Sequence, residues 1–153
     1  MFIAKNNDLI VLARETRAEL ENALKFMVYT SIESSDKEYE LYDGQYLTPE
    51  EITVKERQRL DSLTLTPADV ERALYKEKQM DFEDLKALIV QALPTVDIKG
   101  LSIEFRAKDF YRGAEANGMR LFDVVGALIG YTSDDMDYLF INKELPEKPV
   151  EEK

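Results

Sequence analysis

The side chains able to do chemistry here are carboxylates, lysines, tyrosines and hydroxyls. The 153 residues hold 31 Asp and Glu against 20 Lys and Arg, with no histidine and no cysteine. Loss of imidazole removes the commonest general base and transition-metal ligand. Loss of thiols removes disulfides, zinc–thiolate sites, iron–sulfur clusters and cysteine nucleophiles. The densest acidic group is Asp134, Asp135 and Asp137. It lacks the glycine and the distal glutamate of a D-x-D-x-D-G calcium loop, and it stands where a helix begins, a place where carboxylates cap. Glu50 with Glu51, and Asp81 with Glu83, hold the same place in their own helices. A carboxylate pair for glycoside hydrolysis needs an aromatic-lined cleft, and the chain has no tryptophan. No G-x-S-x-G elbow, P-loop or G-x-G-x-x-G motif occurs, and the six glycines are scattered singly. The expectation is a protein without a catalytic residue, cofactor or metal, and so not an enzyme.

Recognition is the chemistry that remains. Tyr39, Tyr42 and Tyr46 fall in the run Tyr39-Glu40-Leu41-Tyr42-Asp43-Gly44-Gln45-Tyr46-Leu47, where Asp-Gly between alternating residues is a strong hairpin signal. Alternation sets Tyr39 and Leu41 on one face and Glu40 and Tyr42 on the other. One face is read as core, and the other presents an amphipathic aromatic of the kind enriched at protein interfaces. Tyr39, Tyr42 and Tyr46 are therefore the candidate interface residues.

The elements that must position them follow from local signals. Phe2-Ile3-Ala4 and Leu9-Ile10-Val11-Leu12 flank Lys5-Asn6-Asn7-Asp8, which predicts a hairpin. Thr16 with Glu19 forms a capping box ahead of Leu20, Ala23, Leu24 and Met27, a short amphipathic helix. Residues 28–32 are β-branched and aromatic. Thr48-Pro49-Glu50-Glu51 starts a helix over 49–63 that is too polar to be buried on more than a thin stripe. Thr66-Pro67 and Asp81 start two more helices; a segment 101–110 leans to helix; a polar loop 112–118 leads to a helix stopped by Gly130. Thr132 or Ser133 caps a last helix holding Met136, Leu139 and Phe140. The end, from 145 to 153, carries two prolines among charges and reads as disordered. Asp69-Val70-x-x-Ala73-Leu74 is echoed by Asp123-Val124-x-x-Ala127-Leu128, which raises the prospect of one αα-hairpin used twice.

The resulting class is α+β. Residues 1–48 form a small antiparallel β meander with one helix, 49–63 a linking helix, 64–144 a helical region of αα-hairpins, and 145–153 a tail. No run of 18 apolar residues occurs, so neither a membrane span nor a secretory leader is expected.

A net charge of −11 opposes any polyphosphate partner. Residues 121–140 have the outline of a DNA-binding helix-turn-helix, yet the second helix opens with Ser133, Asp134, Asp135 and Asp137 where donors and cations are needed. Only the basic residues Lys99, Arg106, Lys108 and Arg112 remain as a contact face for that reading, which ranks last.

FIAKNNDLIVLARETRAELENAL, EYELYDGQYLTPEE, FYRG and DVVGALIGYTSDDMDYLF together resemble small proteins of temperate phages and prophages of Gram-positive bacteria. The mark of that family is a Y-x-L-Y-[DN]-G-x-[YF]-L hairpin, matched here by Tyr39, Leu41, Tyr42, Asp43, Gly44, Tyr46 and Leu47. The likeness covers most of the chain, more firmly at its ends than across 57–100. It implies a protein of the tail module beside fibre or baseplate genes, working in the host cytoplasm or carried in the virion tail. The implied partner is a tail or fibre component, and the role either a minor tail or baseplate component or a fibre-assembly helper. A regulatory or counter-defence protein whose acidic surface imitates nucleic acid and binds a host enzyme is the alternative.

Overall fold

A computed structural model of the chain describes residues 1–95, 97–116 and 118–148. The fold is α+β, in two compact units, Met1–Arg57 and Gln58–Lys153.

In the first unit β1 (Phe2–Asn6) and β2 (Leu9–Arg14) form the expected hairpin, turned at Asn7 with φ 56°, a left-handed conformation that asparagine tolerates. α1 (Arg17–Ala23) starts in the capping box of Thr16 and Glu19 and continues into a 3-10 turn, Leu24–Phe26. It carries the chain to β3 (Ser31–Ser34), which pairs antiparallel with β1 on the side away from β2, giving the strand order β2-β1-β3. Ala4, Leu12, Leu20 and Leu24 are the buried cluster, with Phe2, Val11, Ile32 and Tyr46 packed partly buried against it.

The hairpin of β4 (Glu40–Tyr42) and β5 (Gln45–Leu47) is a separate two-stranded ladder, with Leu41 opposite Tyr46 and Tyr42 opposite Gln45. Asp43 and Gly44 both have positive φ, 47° and 76°, as a two-residue turn matched to strand twist requires. α2 (Pro49–Asp61) begins with the Thr48 hydroxyl accepting from the Glu51 N–H at 3.3 Å while the Glu51 carboxylate accepts from the Thr48 N–H at 2.8 Å. The Thr48 N–H, with the Thr48 hydroxyl donating to the same carboxylate at 3.1 Å, holds the Glu51 carboxyl below the ordinary glutamate range. No residue of α2 is buried, in keeping with its polar sequence.

The second unit contains five helices among its described residues, but its expected all-helical character needs correction. β6 (Thr64–Leu65) pairs with β7 (Phe110–Tyr111), and β8 (Glu115–Ala116) pairs with β9 (Met119–Arg120). Between β6 and β7 run α3 (Pro67–Lys78), α4 (Phe82–Ala92) and α5 (Ile98–Ala107). The 101–110 segment is thus helix as far as Ala107 and strand at Phe110; Leu65 and Phe110, opposite each other, both enter the core. α6 (Leu121–Ile129) and α7 (Ser133–Asn142) follow the second hairpin. Gly130, with φ 82°, ends α6, and Thr132 with Asp135 forms the capping box of α7.

Phe122 centres the core, edge-on to Phe110 at 5.6 Å and to Phe140 at 4.7 Å between ring centroids. Gly126 lets α6 and α7 approach: a Cβ there would stand 2.9 Å from Met136 Cγ and 3.2 Å from the Tyr131 carbonyl oxygen. The sequence echo is not matched by burial in the first helix of each pair. Val70, Ala73 and Leu74 are buried in α3, whereas α6 buries Phe122, Val125, Gly126 and Ile129, one position off the matching Val124, Ala127 and Leu128. The expected disordered tail is corrected in its first part. Leu145 joins the core, and the Lys148 ammonium lies 4.3 Å from the centre of the Tyr131 ring and 3.2 Å from Asp135. Residues 149–153 lie outside the described residues.

Candidate functional site

Arg112 is the most demanding polar residue of the second unit. The sequence places it in a polar loop and on a basic face; the fold gives it 0% exposure. The chain leaves β7 in a tight turn in which the Arg112 N–H donates to the Leu63 carbonyl at 3.0 Å and the Gly113 N–H to the Asp61 carbonyl at 3.1 Å. That turn drives the side chain inward. Arg112 Nε donates to Asp137 Oδ1 at 2.6 Å, and Nη2 donates to Asp123 Oδ1 at 2.7 Å and to the Ser133 hydroxyl and carbonyl at 3.0 and 3.1 Å. Ser133 also donates to Asp123, at 2.9 Å. Nη1 is buried with no hydrogen-bond partner among the described residues.

This cluster holds; it does not react. A guanidinium neither accepts a proton nor attacks, and both carboxylates are engaged in charge-assisted hydrogen bonds. Its effect is to tie the start of α6 and the start of α7 to the turn after β7. The expected capping role of the acidic group at 134–137 is correct for Asp135 alone in detail: its carboxylate accepts from the Thr132 N–H at 2.7 Å, which holds its carboxyl below the usual aspartate range, helped by Lys148. Asp134 stands in the first turn, and Asp137 serves Arg112 instead. Among the described residues no group of three or more Asp or Glu is arranged to hold a metal ion.

Burial of Arg112 also removes it from the face proposed for DNA. The helix at 133–142 contains no cation, and its exposed side chains include Ser133, Asp134, Tyr138 and Ile141.

The three candidate interface tyrosines lie in the first unit, half-buried, and do not form one open patch. Tyr39 donates its backbone N–H to the Met1 sulfur at 3.1 Å. Tyr42 donates its hydroxyl to Glu56 on α2, and Gln45, opposite it, accepts from Lys55 at 2.7 Å. Tyr46 packs on the buried cluster, and its hydroxyl accepts from Arg14 at 3.4 Å. The assignment of Leu41 to a core face is corrected, since Leu41 is 64% exposed. The reason is the following helix: α2 takes up the Tyr42–Gln45 side of the hairpin, and Tyr46 alone supplies the other side's contact with the cluster.

The open apolar surface of this unit lies elsewhere. Phe26 is 100% exposed and Val28 78%, with Met27 and Tyr29 between and beside them also exposed. Phe26 ends the 3-10 turn, and Met27, Val28 and Tyr29 lead from it towards β3. Their signal was present in the sequence as a seven-residue stretch, 26–32, without charge, proline or glycine. Reading it only as strand hid that it lies at a sheet edge. In the second unit an open groove of about 510 Å³ runs beside α6, lined by Leu93, Met119, Val124, Ala127 and Leu128. No helix among the described residues is long and apolar enough to cross a membrane.

Compared with protein-family models, with curated proteins and with solved structures, the chain matches none.

Proposed function

We propose that this protein acts by binding another protein and performs no chemistry of its own, and that the unit Met1–Arg57 carries the binding surface. The observation behind this reading is the exposed run Phe26, Met27, Val28 and Tyr29. Four consecutive large apolar side chains in water are costly to solubility, and such a patch marks an interaction surface. With the likeness to small proteins of phage tail modules, the reading becomes a minor tail or baseplate component or a fibre-assembly helper. Its place of action is then the host cytoplasm, and the virion tail if it is a component. The tyrosines at 39, 42 and 46 support the hairpin's shape more than its contacts, since their hydroxyls or backbone are already engaged within the unit.

The nucleic-acid mimic is disfavoured by where several carboxylates go. Asp123 and Asp137 neutralise Arg112, and Asp135 caps α7, so the acidic group at 134–137 is not an array of free negative charge.

The test is immunodetection of the chain in purified particles, isolated tails and the soluble fraction of phage-producing cells. Recovery with tails or tail-assembly intermediates is expected, and Phe26→Ser combined with Val28→Ser abolishes it. Recovery solely with a host nuclease or polymerase overturns the reading.

A further inference from the structure

We propose that the seam between α3 and α7 is a peptide-binding site which residues 143–148 fill in cis as a displaceable occupant. In trans it takes a segment of the same chemistry: extended, with an apolar side chain followed three residues later by an ammonium group. The site belongs to the second unit and stands apart from the reading that Met1–Arg57 binds a partner.

The path of the tail is the first argument. α7 ends at Asn142, and Lys143 just after it takes left-handed backbone, φ 61°, which turns the chain out of the helix. Five residues later the Lys148 ammonium is back at the start of the same helix, 3.2 Å from Asp135, and donates to the Gly130 carbonyl. Ten helical residues cover about 15 Å, and five extended residues about 17 Å, so the tail retraces the helix as an extended segment. On its other side it meets α3, with Lys143 3.5 Å from Asp69 and Glu144 3.3 Å from Lys76. Lys78, in the last turn of α3, shares the Tyr131 ring with Lys148, their ammonium groups 5.0 and 4.3 Å from its centre. The tail therefore lies lengthwise between two helices.

The manner of its attachment is the second argument. Leu145 is buried in the core. Lys148 meets three groups suited to a cation: the carbonyl just past the end of α6, where helix carbonyls gather negative charge, the Asp135 carboxylate and the Tyr131 ring face. Among the described residues no backbone group of 144–148 is hydrogen-bonded to another backbone group. The Glu144–Lys76 pair joins side chains more than half exposed and adds little. Between the two anchors Glu147 is exposed, and Pro146 restricts its own backbone and that of Leu145 to extended forms. A strand is held by its ladder; this segment is held by an apolar anchor and a cationic one, and its departure breaks no ladder. What it leaves behind is the seat of Leu145 and, three residues along, an anionic and aromatic socket.

The test is fluorescence polarisation of a labelled synthetic peptide of residues 143–148 titrated with the full-length chain. A tail seated about nine-tenths of the time lowers the apparent affinity for the peptide about tenfold. Lys148→Glu, which sets a carboxylate against Asp135, is expected to bind the peptide about tenfold more tightly than wild type, with unchanged circular dichroism. Peptides carrying serine for the leucine, or glutamate for the second lysine, are expected to bind the variant at least tenfold more weakly. Equal peptide affinity in wild type and Lys148→Glu overturns the proposal, as does binding indifferent to both peptide changes. Loss of helical circular dichroism in Lys148→Glu overturns it too, because the tail would then be a fixed part of the fold and not an occupant.

Discussion

The two units hold themselves together by different means. Met1–Arg57 rests on six buried apolar residues, of which Ala4, Leu12, Leu20 and Leu24 form one cluster, plus caps and hairpins. Gln58–Lys153 packs a continuous core from Leu65 to Leu145 and buries a charged arginine within reach of two carboxylates. Both units leave large apolar side chains in water, but in the smaller they follow one another from Phe26 to Tyr29, whereas in the larger Tyr75, Ile103, Tyr111 and Ile141 are far apart in sequence. A small domain cannot cover all of its apolar surface, and the surplus is what a partner can bury. The acidic group the sequence draws attention to is structural, whereas the uncharged run it passes over is left exposed.

The largest difference between the units is expected at Arg112. Arg112→Leu leaves Asp123 and Asp137 facing each other at a partly buried site, and breaking such a cluster costs about 3–5 kcal/mol. Urea unfolding followed by circular dichroism is expected to lose the second unit's transition while amide shifts of the β1–β2 hairpin persist. A cost under about 1 kcal/mol would mean that the cluster is incidental.

Leu20→Ala probes the smaller unit. Removing a fully buried leucine costs about 2–5 kcal/mol, and a cluster of four has little to compensate it. Hydrogen exchange is expected to show β1, β2 and β3 exchanging freely with α6 and α7 still protected. Equal loss of protection in both units would mean that the units fold as one.

A smaller effect separates caps from cores. Thr132→Ala removes the hydroxyl that accepts from the Asp135 N–H at 3.2 Å and costs about 1 kcal/mol. The same cap gives a pH signature. The Asp135 carboxyl is held below its unfolded value by the Thr132 N–H, so its contribution is complete above the unfolded value, about pH 4, and is lost as the pH falls through the folded value. Urea midpoints between pH 7 and pH 3 are expected to fall, and Asp135→Asn removes part of that fall.

The least effect on stability is expected where the effect on association is greatest. Phe26→Ser touches a side chain wholly in water and should change stability by no more than about 0.5 kcal/mol. A larger loss would mean that Phe26 supports the fold.

Much of the architecture was legible because its signals are short-range. The Thr16–Glu19, Asp81–Asp84 and Thr132–Asp135 capping boxes each act between residues three apart. The Asp43-Gly44 turn needs only two residues able to take positive φ. Arg112 could not be read this way: its partners stand 11 and 25 residues further along the chain, and nothing near Arg112 in sequence distinguishes it from a solvated loop arginine. The surroundings of Tyr39, Tyr42 and Tyr46 were hidden for a related reason. Alternation says which residues share a face of a strand, but only the helix that packs there decides which face is covered.

Residue types and near neighbours were enough for most turns and caps, for the first unit's hairpins and the main helices, and for excluding thiol and imidazole chemistry, because these depend on residues within one turn of chain; the short strands at 64–65, 110–111, 115–116 and 119–120 were not legible. Tertiary structure decided which side of α6 is buried, that Tyr42 faces α2 while Leu41 faces water, that Leu145 docks, and that Arg112 gathers Asp123 and Asp137. Those outcomes rest on contacts between distant segments, where burial competes with hydration, and no local pattern carries the result of that competition.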